Sequence, residues 1–289
     1  MTSGDTAADT YVLGTEPEEQ ERLRLQHELW RPAAIAAWER AGLGPGQRVL
    51  DLGAGPGFCA RDLARLVGPG GRVLALERSG AYVAAARAAA AREGWGQLEV
   101  LAVDLGDPAA AASPGLDASG LGTGGFDLAW CRWLAMFLPR LDPLLDLVST
   151  SLRPGGVLVA HEYVHWNTFG LHPDGTAIAR FRDAAIASFR DAGGDPDVNR
   201  RLPGLLAARG FGIEELVPLP VLGRGSDPWA RWLEHFVTLY GRELIRQGRW
   251  TEEDATAAAD AMARARRDPG AYWVGPTVLS LRARRGEGP

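Results

Sequence analysis

The chain contains no lysine; all 31 of its basic residues are arginine. Without a lysine amine, Schiff-base chemistry and a lysine-anchored pyridoxal cofactor are excluded. Cysteine is nearly as scarce. Cys59 and Cys131 are too few for a disulfide framework or a four-thiolate zinc site, and they read as buried free thiols in a reducing compartment. No apolar run approaches the ~20 residues of a membrane span. Met1–Thr10 is polar and acidic, without the apolar centre of a secretory signal. A basic surplus is missing too: the formal charge of −5 gives no footprint for DNA or RNA. Arg264, Arg266 and Arg267 read as a solvated helix end, where cations favour the dipole. The expectation is a cytoplasmic protein with no nucleic-acid or membrane partner. A homodimer is left open.

What remains is ordinary for a globular chain, 46% apolar and 23% charged over 289 residues, enough for one large α/β domain with an appendage. After a tail, Thr15-Glu16-Pro17-Glu18 spells a capping box that opens a helix carrying Leu25, Leu29 and Trp30. Pro32 is read as opening a second helix, closed by Gly42. From residue 47 short apolar strands alternate with helices. The strands are Arg48–Leu52, Arg72–Leu76, Leu98–Val103, Phe126–Cys131 and Gly156–Ala160; the helices are Ala60–Leu66, Gly80–Ala91 and Leu141–Leu152. Such alternation argues for βαβ units and a mostly parallel sheet. Asp107–Gly125 reads as a loop. Helices near 177–192 and 202–209 lead to a strand, Phe211–Leu222, a helical block, Pro228–Arg267, broken near Gly248–Thr251, and a last strand, Val274–Arg284.

The most informative segment is Val49-Leu50-Asp51-Leu52-Gly53-Ala54-Gly55-Pro56-Gly57-Phe58. A strand runs into three glycines and then a helix, which suits a ligand lying against bare backbone near free N–H groups. Dinucleotide folds need G-x-G-x-x-G for a pyrophosphate, and the position of that third glycine is Phe58 here. The spacing favours a ligand without a pyrophosphate.

The stretch Asp51–Gly57 resembles the first motif of class I S-adenosylmethionine methyltransferases, and the pattern continues in register. Glu77 ends the second strand, Val103-Asp104-Leu105 follows the third, Phe126–Arg132 resembles the fourth-strand motif, and Leu152–Leu158 resembles the turn into the fifth. The likeness covers about residues 47–165. Tyr11-Val12-Leu13-Gly14 with Glu21–Gln26 also resembles a subgroup related to quinone-biosynthesis enzymes and common in bacterial natural-product pathways, whose leading helices cover the cofactor.

The resemblance implies a Rossmann-like, seven-stranded, mostly parallel sheet flanked by helices. It implies a tail and cap helices over 1–42, a cofactor-binding core over 43–222, a helical lid insertion over 223–272 and a last core strand with a tail over 273–289. It implies S-adenosylmethionine as cofactor, S-adenosylhomocysteine as product, and a small, apolar or aromatic acceptor of the natural-product type. The implied contacts are Tyr11, Gln26, Asp51, Gly53, Ala54, Gly55, Gly57, Glu77, Arg78, Asp104, Leu105, Cys131 and Arg132, with Glu77 for the ribose and Asp104-Leu105 for the adenine. Tyr11 and Trp133 are candidates to face the sulfonium.

A phenol or alcohol acceptor must lose a proton, whereas a carboxylate needs no base. His161 or His165, just after the fifth strand, could be that base, with Glu162 orienting it or holding the substrate. No helical H-E-x-x-H surrounds them, so no metal is expected. Two other readings stay open: a protein of this fold that binds the cofactor without methyl transfer, as a cyclase or regulator, and a nicotinamide-dependent oxidoreductase, which Phe58 disfavours.

Overall fold

A computed structural model describes residues 17–107 and 121–287. Tyr11, Thr15 and most of the Asp107–Gly125 loop lie outside the described residues.

Five parallel strands lie between residues 48 and 165: β1 Arg48–Leu52, β2 Arg72–Glu77, β3 Leu98–Ala102, β4 Phe126–Arg132 and β5 Leu152–His165. Helices α2 Phe58–Val67, α3 Gly80–Glu93 and α4 Asp142–Ser151 connect them. β7 Phe211–Leu219 and β10 Thr277–Arg285 complete one seven-stranded sheet in the order β3-β2-β1-β4-β5-β10-β7. β10 is antiparallel to both of its neighbours, so six strands run one way and one the other. This is the Rossmann-like, mostly parallel sheet that the resemblance implies.

Both faces of the sheet are covered, which is why its strands are apolar runs and not alternations. Leu50, Leu52, Leu74 and Leu76 point into one core, while Val49, Val73 and Ala75 point into the other. The chain winds outward from β1 to β3 and then crosses back to β4. A crevice therefore opens beyond the carboxyl ends of β1 and β4, where open α/β sheets place ligands.

The flanks depart from expectation in three places. α1 Pro17–Arg40 is one helix with Pro32 inside it, not two. An interior proline costs about 3 kcal/mol. Burial of Trp30, Ala34, Ala37 and Trp38 on either side of it outweighs that local cost. β5 runs on to His165 because β10, more than a hundred residues later, pairs with it from Val157 to His165. The runs Phe211–Leu222 and Val274–Arg284 each break. Pro220, which cannot donate to a ladder, and Gly275-Pro276 release β8 Leu222–Gly223 and β9 Tyr272–Val274 into a small antiparallel sheet with β6 Gly170–His172. Arg266 is an exposed helix cap, as expected, and its guanidinium also reaches the buried Glu234 at 3.0 and 2.6 Å.

Between β6 and β7 lie α5 Thr176–Asp191 and α6 Leu202–Ala207. Between β8 and β9 lie α7 Pro228–Arg246 and α8 Glu252–Ala265, the latter opened by a Thr251/Asp254 capping box. α7 packs on α1, so the insertion and the leading helix meet over the crevice.

Candidate active site

The turn after β1 is built on glycine for steric reasons. Gly53 and Gly57 have φ of +68° and +82°. A Cβ at Gly53 would meet the Leu134 side chain at 3.1 Å, and one at Gly57 would meet Ala86 on α3 at 2.9 Å. The N–H groups of Gly53 and Ala54 donate to Leu76 O, folding the turn onto β2. Glu77, at the end of β2, accepts from Gly55 N–H at 2.8 Å and from Ser79 N–H at 2.9 Å. A carboxylate has about four acceptor positions, so about two remain.

Gln26, Asp51, Gly53, Ala54, Gly55, Glu77, Arg78, Asp104, Leu105 and Arg132 line one cavity. Sequence positions spread over more than a hundred residues thus come together. Gly57 and Cys131 do not line it. Gly57 is spent on the approach of α2 to α3, and the Cys131 thiol, pushed well up by burial, donates to Glu162.

Buried polar atoms of the lining residues that have no partner include Asp51 Oδ2 and Arg132 Nη1, besides the indole N–H groups of Trp133 and Trp166. Desolvation pushes the Asp51 carboxyl up to about 7, Arg132 opposing and Glu77 adding to the shift. An unsatisfied carboxylate oxygen beside an unsatisfied guanidinium N–H fits a ligand carrying both an ammonium and a carboxylate. With Glu77 beside a bare-backbone turn for vicinal hydroxyls, and Asp104 and Leu105 for a base edge and a ring face, the residues present fit S-adenosylmethionine.

The far half of the cavity is aromatic. Trp133 stacks on Tyr163 at 5.6 Å and 21° and on Trp232 at 6.2 Å and 25°. Trp166 and Phe236 extend this wall. Trp133 holds a left-handed φ of +51°, rare for a bulky residue. Its turn is fastened by Glu162, whose Oε1 accepts from Leu134 N–H at 2.8 Å and Ala135 N–H at 2.9 Å. The polar group at the roof is Arg22 on α1, paired with Glu19 at 2.7 Å and bonded to Gln26 at 2.9 Å; Gln26 also accepts from the Trp232 indole at 3.1 Å.

His161, Glu162 and His165 are not among the lining residues. His161 is fully buried, 3.0 Å from Ser280 Oγ and edge-on to Trp130, and desolvation pushes its imidazole down to about 3. Glu162 is fully buried as well, pushed up to about 7 by desolvation, and is a structural clamp on the Trp133 turn. His165 is exposed and meets Arg200 at 2.8 Å. Neither histidine thus reaches the cavity where a base was expected, because β5 continues as a strand in place of a site loop.

Sequence reading expected a lid over 223–272 but did not single out Arg22 or Trp166 as lining it, and it read the aromatics of α7, Trp232 and Phe236 among them, mostly as core contacts. Aromatics at helical spacing look the same whether they face a core or a ligand chamber. The resemblance could signal only that leading helices and an insertion cover the site, not which side chains face it.

A methyltransferase-domain family matches residues 43–185. Nocamycin O-methyltransferase of Saccharothrix syringae is 32% identical over 129 residues, 45% of this chain and 42% of that protein. The chain spans less than half the length of the curated relatives it matches, 42% and 48%. Among solved structures, the cyclase SpnF superposes with a TM-score of 0.56 at 20% identity, covering 89% of this chain and 82% of that one. A SAM-dependent methyltransferase from Aquifex aeolicus gives 0.50 at 20% identity over 71% and 93%.

Proposed function

We propose, from the premise that residues 43–185 belong to the class I S-adenosylmethionine-dependent methyltransferase family, that this chain transfers a methyl group to a small, aromatic or otherwise apolar metabolite. The single observation that carries the reading is the continuity of the cavity. The glycine turn, Asp51, Glu77 and Arg132 stand at one end, and the Trp133–Tyr163–Trp232 wall stands at the other. Bound S-adenosylmethionine would supply a methyl group already activated on a sulfonium.

The protein's own work is then alignment and exclusion of water. Alignment of reacting atoms can be worth ~7–11 kcal/mol. Asp51 and Arg132 would hold the amino-acid end, Glu77 the ribose, and Asp104 with Leu105 the adenine. The face of Trp133 would suit the sulfonium. Burial pushes the Tyr163 phenol well above its ordinary value, so its hydroxyl stays a hydrogen-bond donor to the acceptor. The relative named for O-methylation of nocamycin supports a natural-product acceptor with an oxygen nucleophile.

The test is calorimetry with S-adenosylmethionine and S-adenosylhomocysteine, followed by incubation with host metabolite fractions and mass spectrometry for a one-methyl gain. Binding with turnover to S-adenosylhomocysteine is the expected result. Binding with no turnover on any fraction would favour a protein of this fold that does not transfer methyl. No heat with either nucleoside would end the reading.

A further inference from the structure

The cofactor half contains a histidine that no motif announced. His27 lies on α1, buried, with its ring stacked on Phe58 at 5.5 Å and 22°. Its Nε2 is 3.2 Å from Asp62 Oδ2 on α2. Its Nδ1 is 3.5 Å from Arg132 Nη2, at the end of β4, and 3.8 Å from the Cys59 thiol. Asp62 is itself fixed from two sides, by Arg31 at 2.7 and 3.1 Å and by Arg65 at 2.7 Å.

Chemistry selects the tautomer. A carboxylate only accepts, so the ring donates Nε2–H to Asp62; a guanidinium only donates, so Nδ1 presents its lone pair to Arg132. One neutral imidazole satisfies both neighbours. A ring flipped to the other tautomer would leave a lone pair against Asp62 and an N–H against Arg132. Ordering of a ligating group by a carboxylate through an imidazole is a common second layer of support.

We infer that Asp62, His27 and Arg132 form a relay that fixes the Arg132 guanidinium, so that its unpartnered Nη1 meets the carboxylate of the cofactor's amino-acid end. His27 is thereby a positioning residue, and α1 is tied to the cofactor site by a polar link as well as by packing. The inference rests on the proposed cofactor reading. It also gives Phe58 a use, as the floor on which the imidazole lies.

The experiment uses the full chain and two probes: S-adenosylhomocysteine, and 5′-methylthioadenosine, which has the same nucleoside and thioether but no amino-acid end. His27→Leu should weaken S-adenosylhomocysteine binding about tenfold by calorimetry and leave 5′-methylthioadenosine unchanged. The KM for S-adenosylmethionine should rise while kcat stays within about twofold. His27→Asn, whose Oδ1 replaces the Nδ1 acceptor, should recover most of the affinity. In an Arg132→Met background, His27→Leu should add almost nothing, since two residues in one chain of contacts are not additive. Equal loss of both probes, failure of the Asn variant to recover, or full additivity with Arg132→Met would overturn the relay. Wild-type protein that binds neither probe would overturn the cofactor reading and the relay with it. Wild-type binding left unchanged in His27→Leu would sink the relay alone.

Discussion

Asp51 is 2% exposed, has an oxygen without a partner and carries a carboxyl pushed up to about 7 by desolvation. Between its unfolded and folded values the folded state holds a proton that the unfolded state has lost. The contribution of Asp51 to the stability of the unliganded protein therefore grows as pH falls from about 8 toward about 4. Asp51→Asn should remove up to about 1.4 kcal/mol per pH unit of that slope, read from urea denaturation at several pH values. An unchanged slope would show that Asp51 is solvated. His161 works with the opposite sign. Its folded imidazole is held neutral down to about 3, so stability is lost as pH falls below its ordinary value of 6.5. His161→Leu should flatten that acid loss, at a cost of about 1–3 kcal/mol at neutral pH for the stranded Ser280 hydroxyl. Neither His161→Leu nor His165→Ala should lower turnover more than about threefold, since neither ring lines the cavity. A hundredfold loss in a folded variant would restore the base.

At the level of elements, the contrast between β1 and β5 shows what local sequence can carry. Arg48–Leu52 was readable with its boundaries because a strand buried on both faces is a plain apolar run ended by glycine. His161 and Glu162 were not, because the pairing that keeps them in a strand comes from Ser280 and Leu279 on β10. Neighbouring strand residues point to opposite faces, and here both faces are closed. α1 teaches the same lesson, its continuity through Pro32 being set by partners on α2 and α7. Its inner face also holds a buried ion pair, Arg22 with Glu19, side chains 4% and 5% exposed. Arg22→Met should destabilise by about 3–5 kcal/mol, chiefly by leaving Glu19 unpaired in a dry site. The double variant Glu19→Leu/Arg22→Met should recover most of that in chemical denaturation. If the double variant is as unstable as the single one, Arg22 matters through its packing over Phe236, 5.8 Å away, and not through its charge.

The whole molecule divides into a half written in motifs and a half written in packing. The half of the cavity beside the glycine turn was legible because its lining residues lie on a turn and strand ends whose chemistry is local: glycines at φ above zero and carboxylates at fixed intervals. The side chains of the roof were not, because Trp232 and Phe236 on α7 and Arg22 on α1 are more than two hundred residues apart and meet only where α7 packs on α1. That division has a thermodynamic consequence. α1 touches the cavity through Arg22, Leu23 and Gln26 and the glycine-loop helix through His27, so opening α1 exposes the ligand. A ligand that needs α1 closed must stabilise it. At about 100 times Kd, S-adenosylhomocysteine should add about 2.7 kcal/mol, raising Tm by roughly 5–10 °C. Hydrogen exchange should then slow across 17–40 and 133–137 as well as at 53–57. Slowing confined to 53–57 would mean that α1 is a bystander and that the acceptor chamber stays open to water during transfer. Slowing of α1 with S-adenosylhomocysteine but not with 5′-methylthioadenosine would trace the closure to the amino-acid end, through Arg132 and His27.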